Sequence, residues 1–282
     1  MHLSTLTESI GLAGIQAALV ALPGPTALDP LRRLRSPAWA LLGPASLVFG
    51  TFGVLAHPRL ANVFVAVAAI ATPLLAAVAV LAIVHGRHRN LLLVPLGLAG
   101  VAVAASGWPG EVAASLLTAL GCLTLGTAVV RLTPGRWLRI GLLSMAAVDV
   151  VLIGMGIGQH ANTLMQQALS STVAPGFDRA ELGHTTTEYP DLVLAGVLGG
   201  IVAGRAIQPA TAALVAVAAG AYGALLAFTH MLPATVPLVI VLLLVERLWT
   251  PAISPVGTAP ARSNHGACRP HPAGRGTSAA SC

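Results

Sequence analysis

Long apolar stretches separated by short polar breaks run along most of this chain, and their length selects the kind of element they form. A helix needs about 20 mostly apolar residues to cross the hydrocarbon core of a bilayer. Nine stretches approach that length, at roughly 9–23, 37–56, 61–84, 91–107, 111–130, 137–157, 189–207, 209–229 and 232–249. The pattern predicts an all-α, polytopic membrane protein whose transmembrane domain occupies residues 1–249, with an external loop at 158–189 and a disordered cytoplasmic tail at 250–282.

The first stretch is the least regular, being interrupted by Gln16 and closed early by Pro23 and Pro25. Pro44, Pro73 and Pro95 do not veto their stretches, because neighbouring helices satisfy the carbonyls a proline frees. Trp39, Trp108, Trp137 and Trp249 all fall at stretch ends, where an amphipathic ring prefers the membrane interface. Within the long polar loop, Leu164, Met165 and Leu169 mark a short amphipathic piece.

Composition narrows the function classes. Of 282 residues, 56% are hydrophobic and only 9% charged, against about 25% charged in a soluble globular domain. With a mean hydropathy of +0.84, the reading excludes a soluble enzyme, a nucleic-acid binder and a disordered chain. All 15 basic residues are Arg. With the N-terminus outside, only Arg59 and Arg179 are external and the other 13 face the cytoplasm, a strong positive-inside split. Arg with no Lys, beside abundant Ala, Gly, Val and Leu, is the footprint of a GC-rich genome and directs the expectation to the plasma membrane of a bacterium. No Lys or Arg precedes the first apolar stretch, so that stretch is expected to remain rather than be cleaved. The three Cys, Cys122, Cys268 and Cys282, form no disulfide framework. His265, Cys268 and His271 sit in the low-complexity tail and are read as no metal site, and no cofactor is expected.

Most of the nine acids have bland places. Glu8, Asp29, Glu111 and Glu246 lie at stretch ends or in loops, and Asp178, Glu181 and Glu188 in the external loop, all read as solvated surface charge. Asp149 differs, lying inside the sixth stretch, where a carboxylate costs about 2.5–3.5 kcal/mol on insertion scales. Asp191 opens the seventh beside Pro190, which is also an ordinary helix start with an acid favoured by the dipole. At about 1.5 Å per residue, Asp149 lies about 12 Å below the external end of its helix and Asp191 about 3–6 Å below its own. Both fall in the outer half of the membrane. Gly196, Gly200 and Gly204 on the seventh stretch, with Gly154 and Gly158 on the sixth, recur every fourth residue as helix-packing stripes.

Two carboxylates about 3–5 Å apart in a low-dielectric site cannot both ionise, so one keeps a proton while the other stays basic. The basic member takes a proton from an attacking water and the acidic one polarises a peptide carbonyl. The pair titrates as a unit, which leaves the acid and base roles unassigned between them.

These residues resemble the intramembrane aspartyl proteases of the presenilin and signal peptide peptidase type. That family has nine spans, an Asp in the sixth, a second in a GxGD motif at the seventh and a Pro-Ala-Leu motif at the ninth. Asp149 matches the first position and Asp191 the second, with Glu188 and Pro190 standing where GxGD has glycines. Pro233, Ala234 and Thr235 resemble the third motif, Thr235 replacing Leu. The resemblance implies Asp149 and Asp191 as catalytic residues, Pro233, Ala234 and Thr235 as substrate-binding residues, and a transmembrane protein or peptide as substrate in the lipid bilayer, with no nucleic acid. The oligomeric state is left open. A proton- or cation-coupled transporter and a catalytically inactive scaffold of the same fold are the alternatives the sequence keeps.

Overall fold

A computed structural model of the chain describes residues 3–24, 28–84, 93–105, 107–170, 177, 179–183, 185–226 and 235–253. Ten α-helices are found there: α1 Leu3–Ala21, α2 Leu42–Ala56, α3 Arg59–Val84, α4 Leu93–Ala104, α5 Trp108–Leu132, α6 Gly135–Gly154, α7 Ile157–Ser170, α8 Tyr189–Val202, α9 Gln208–Leu226 and α10 Thr235–Ile253. One antiparallel hairpin, β1 Arg179–Leu182 and β2 Thr185–Glu188, lies between α7 and α8.

The helices follow the apolar runs because Ala, Leu and Val fill them and most prolines fall in first turns. Pro109 and Pro190 stand among the opening residues of α5 and α8, where no intrahelical N–H is lost. Five helical segments are long and apolar enough to cross a membrane: Pro37–Ala56, in which a short 3-10 turn leads into α2, Arg59–Ile83, Trp108–Leu132, Gly135–Gly154 and Gln208–Leu225. Thr7–Ala21, Leu93–Ala104 and Tyr189–Val202 are shorter apolar helices. The chain is therefore a mostly helical protein with five candidate membrane-spanning helices. Exposed Phe49, Ile70, Leu74, Leu93 and Leu96 on α2, α3 and α4 give it the bare apolar flank that a bilayer covers.

At the centre is α5, which packs against α3, α4 and α8. Its crossing with α8 is a backbone contact. A Cβ on Gly126 would collide with the main chain of Gly196, and one on Gly196 would lie 2.8 Å from the carbonyl oxygen of Cys122. Gly200 continues the contact, its Cβ position 3.0 Å from Val130. Around this pair, α1 lies against α8 and α9, α2 against α6 and α7, and α10 against α6, α8 and α9.

Part of the expected glycine pattern dissolves. Gly156 takes a left-handed φ of 70°, which ends α6 and redirects the chain into α7. Gly154 and Gly158 thus belong to different helices, and a Cβ on Gly154 would meet nothing within 4 Å among the described residues. Gly204 likewise lies beyond the end of α8, in a turn with φ 71°. Of the five glycines, Gly196 and Gly200 form a packing stripe, and its partner is α5 rather than α6.

The two ends of the bundle differ chemically. At one, Asp29 bridges to Arg131 at 3.3 Å, Arg139 to Glu246 at 2.6 Å, and Arg35 donates to the carbonyl of Thr133. Gln208 holds the end of α1 by donating to the carbonyls of Val20, Ala21 and Pro23. Arg205 precedes it in the same turn. At the opposite end sit Arg59, at the start of α3, and Arg179, in β1.

That opposite end carries a built element rather than a plain loop. Along α7, Leu164, Met165 and Leu169 pack against Val54, Ala61 and Val65 of α2 and α3. The hairpin is sunk into the bundle: Ala180 and Phe177 are buried, Thr72 and Thr118 both donate to the carbonyl of Phe177, and Ser115 exchanges two hydrogen bonds with the backbone of Glu181. Glu8 and Glu111, read from the sequence as solvated charges, hold it in place by accepting from Thr185 Oγ1 at 3.1 Å and from the Gly183 N–H at 3.0 Å.

Candidate functional site in the helical bundle

Asp149 lies in the C-terminal half of α6, five residues before that helix ends at Gly154. Asp191 is the third residue of α8. Its position follows from the chain path: β2 ends at Glu188 in extended backbone (φ −74°, ψ 155°), and Tyr189 and Pro190 start the helix without an intervening loop. The residues occupying the glycine positions of the resembling motif therefore have a local role. Glu188 is the last strand residue and Pro190 a helix starter.

Both carboxylates line one cavity of about 370 Å³, within the size range of small ligand sites. Asp191 is 4% exposed, while Asp149 is half-buried. Thr235, the first residue of α10 and itself buried, donates from Oγ1 to Asp149 Oδ2 at 2.7 Å. The hydrogen bond fixes which carboxylate oxygen of Asp149 faces the open space. Thr235 is thus brought to the site. Pro233 and Ala234 lie outside the described residues.

The cavity draws on more of the molecule than the two acids. From α9 comes Tyr222, from α1 Gln16, from α7 Asn162, and from β2 the run Thr185 to Glu188. Glu188 accepts a hydrogen bond from Asn162, which ties the end of the hairpin to α7. Sequence reasoning missed these residues for identifiable reasons. Gln16 was legible only as an irregularity in an apolar run, Glu188 only as loop charge, and Tyr222 sits in an Ala- and Gly-rich stretch with no motif around it. A polar side chain isolated in an apolar helix was the available signal for Gln16 and Tyr222.

Among the described residues no group of three or more His, Cys, Asp or Glu has the arrangement of a metal site. Cys122 is buried on α5 beside the backbone of Tyr189, and His265, Cys268 and His271 lie outside the described residues. What the cavity offers chemically is three carboxylates, Asp149, Asp191 and Glu188, a hydroxyl holding the first of them, and a ring of neutral donors and acceptors.

Fold and site together define a helical membrane protein with an acidic internal cavity. No family model, curated protein or solved structure matches the chain.

Proposed function

We propose that the protein is an intramembrane aspartyl protease that hydrolyses peptide bonds of transmembrane segments with Asp149 and Asp191. The observation that carries this reading is that both carboxylates line the same cavity and that Thr235, from the third motif of the resembling family, is hydrogen-bonded to one of them. In this mechanism the ionised carboxylate takes a proton from a cavity water as it attacks the scissile carbonyl. The protonated partner donates to the carbonyl oxygen, and the proton then passes to the leaving amine. Neither a covalent intermediate nor a metal is required. The nine-span count, the N-terminus outside and the plasma membrane of a bacterium belong to the same proposal. It is supported by nine helices falling on the nine apolar stretches and by the segregation of arginines to one end.

The test is cleavage of a single-span substrate in liposomes. Asp149→Asn and Asp191→Asn should each abolish cleavage while the protein remains monodisperse; cleavage retained in both variants overturns the assignment.

A second reading is favoured by Glu188, a third carboxylate on the cavity wall. Three acids in one cavity also suit a proton-coupled carrier. That reading expects pH-driven flux in proteoliposomes that Asp149→Asn removes, and no peptide product.

A further inference from the structure

One polar group in the cavity has no task in the two-carboxylate chemistry. On α1, Leu12, Ala13, Gln16, Leu19 and Val20 are buried at the spacing of a single helix face. This is the side of α1 that lies against α8 and α9. Four of those five residues are apolar. Gln16 is 9% exposed and opens into the cavity that holds Asp149, Asp191 and Thr235.

A carboxamide carries two donor hydrogens and a two-site acceptor, and those of Gln16 are on the cavity wall. Among the described residues the Gln16 side chain has no hydrogen-bond partner. The contrast is with Gln208, whose carboxamide accepts from the Gly204 N–H and donates to three carbonyls at the end of α1. Gln208 has a structural role; Gln16 faces the cavity.

The chemistry of that ligand follows from the group. A cation would use only the carboxamide oxygen and an apolar side chain neither half, whereas a peptide backbone uses the donor and the acceptor together. In extended backbone the N–H and C=O of one residue point the same way, and a carboxamide answers both at once. We propose that Gln16 is a substrate-binding residue that takes the N–H and C=O of one residue in an unwound stretch of the segment lying across the two carboxylates. This rests on the protease reading for its substrate class, but it concerns binding and is separable from turnover.

The experiment uses the full chain carrying Asp149→Asn, in detergent micelles, with a fluorescent single-span peptide as probe. Adding Gln16→Met, which keeps the length and removes both hydrogen bonds, should weaken peptide binding about 5- to 100-fold, the size of two neutral hydrogen bonds. A second arm needs no change at Gln16. Peptides in which a backbone ester replaces successive amides should lose part of that factor at one position against Gln16 and none against Gln16→Met. Equal affinity for Gln16 and Gln16→Met chains, ester sensitivity unchanged by the substitution, or no binding of the peptide at all overturns the inference. Cleavage by the chain with both carboxylates intact is measured in parallel. Gln16-dependent binding without cleavage leaves this inference standing and removes the protease; cleavage with Gln16-independent binding does the reverse.

Discussion

Thr235, at the first position of α10, donates a 2.7 Å hydrogen bond to Asp149 in the C-terminal half of α6, 86 residues earlier in the chain. The same two helices are also joined by the ion pair of Arg139 and Glu246. The hydrogen bond gives Asp149 a defined orientation toward the cavity it shares with Asp191. Replacing Thr235 with Val removes the donor at nearly constant volume. A hydrogen bond to a charged group is worth about 1.5–3 kcal/mol, so catalytic efficiency in the liposome assay should fall about 10- to 100-fold. Thr235→Ser should keep most of the activity.

The α5–α8 crossing makes a prediction about stability that is independent of chemistry. Gly126→Ala drives a methyl into the main chain of Gly196, and backbone cannot move aside as a side chain tip does. Overpacking of this kind costs about 1–3 kcal/mol or more. Thermal unfolding in detergent should show a clear drop in Tm. Gly154→Ala, whose Cβ has open space among the described residues, should leave Tm within a degree or two.

Gly156 separates α6 from α7 through its left-handed backbone. An L-residue there costs about 1–2 kcal/mol, so Gly156→Ala should destabilise the chain by that amount, read by the same melting experiment. Because the strain falls seven residues from Asp149, the variant should also lose cleavage activity out of proportion to its lost stability.

The ion pair of Arg139 and Glu246 should matter little. Arg139 is half exposed and Glu246 a quarter exposed at the side chain, and pairs of that kind contribute about 0–1 kcal/mol. Glu246→Gln should therefore melt close to the unsubstituted protein, and a fall of several degrees would mean that the pair is shielded from water in the membrane.

Arginine segregation leads to a topology experiment. With the three native Cys replaced by Ser, single cysteines at Arg136 and at Thr186 should react with a membrane-impermeant thiol reagent from opposite sides of sealed vesicles. Labelling of both from one side would contradict the arrangement of helix ends.

Much of the helical frame was legible along the chain, because an apolar run of sufficient length has few alternatives in a membrane. Each of the nine stretches carries a helix, and the amphipathic piece at Leu164, Met165 and Leu169 packs by that face. What the runs hid was where helices stop. Periodicity carried the sixth and seventh stretches on to residues 157 and 207, whereas Gly156 and Gly204 break them after Gly154 and Val202. Glycine fits a stripe and a turn equally well, and only the conformation of the neighbouring backbone distinguishes the two. The same ambiguity let Gly154 and Gly158 read as a packing seam.

Scarcity of charge singled out Asp149 and Asp191, since an acid in an apolar run needs a reason wherever the run ends up. Along the chain, however, Gln16 is an irregularity in a doubtful first span, Glu188 a loop charge and Glu8 a solvated terminus. Folding turns the first into a cavity wall, the second into a partner of Asn162 and the third into an anchor for the hairpin. The sequence by itself determined a helical membrane protein, the clustering of arginines and the two acids that stand out, because these follow from the cost of placing charge in hydrocarbon. Only the tertiary structure decided that Asp149, Asp191, Thr235 and Gln16 share one cavity. That depends on helix crossings made by residues far apart in the chain, Gly126 against Gly196 above all, and no local pattern encodes which crossing forms.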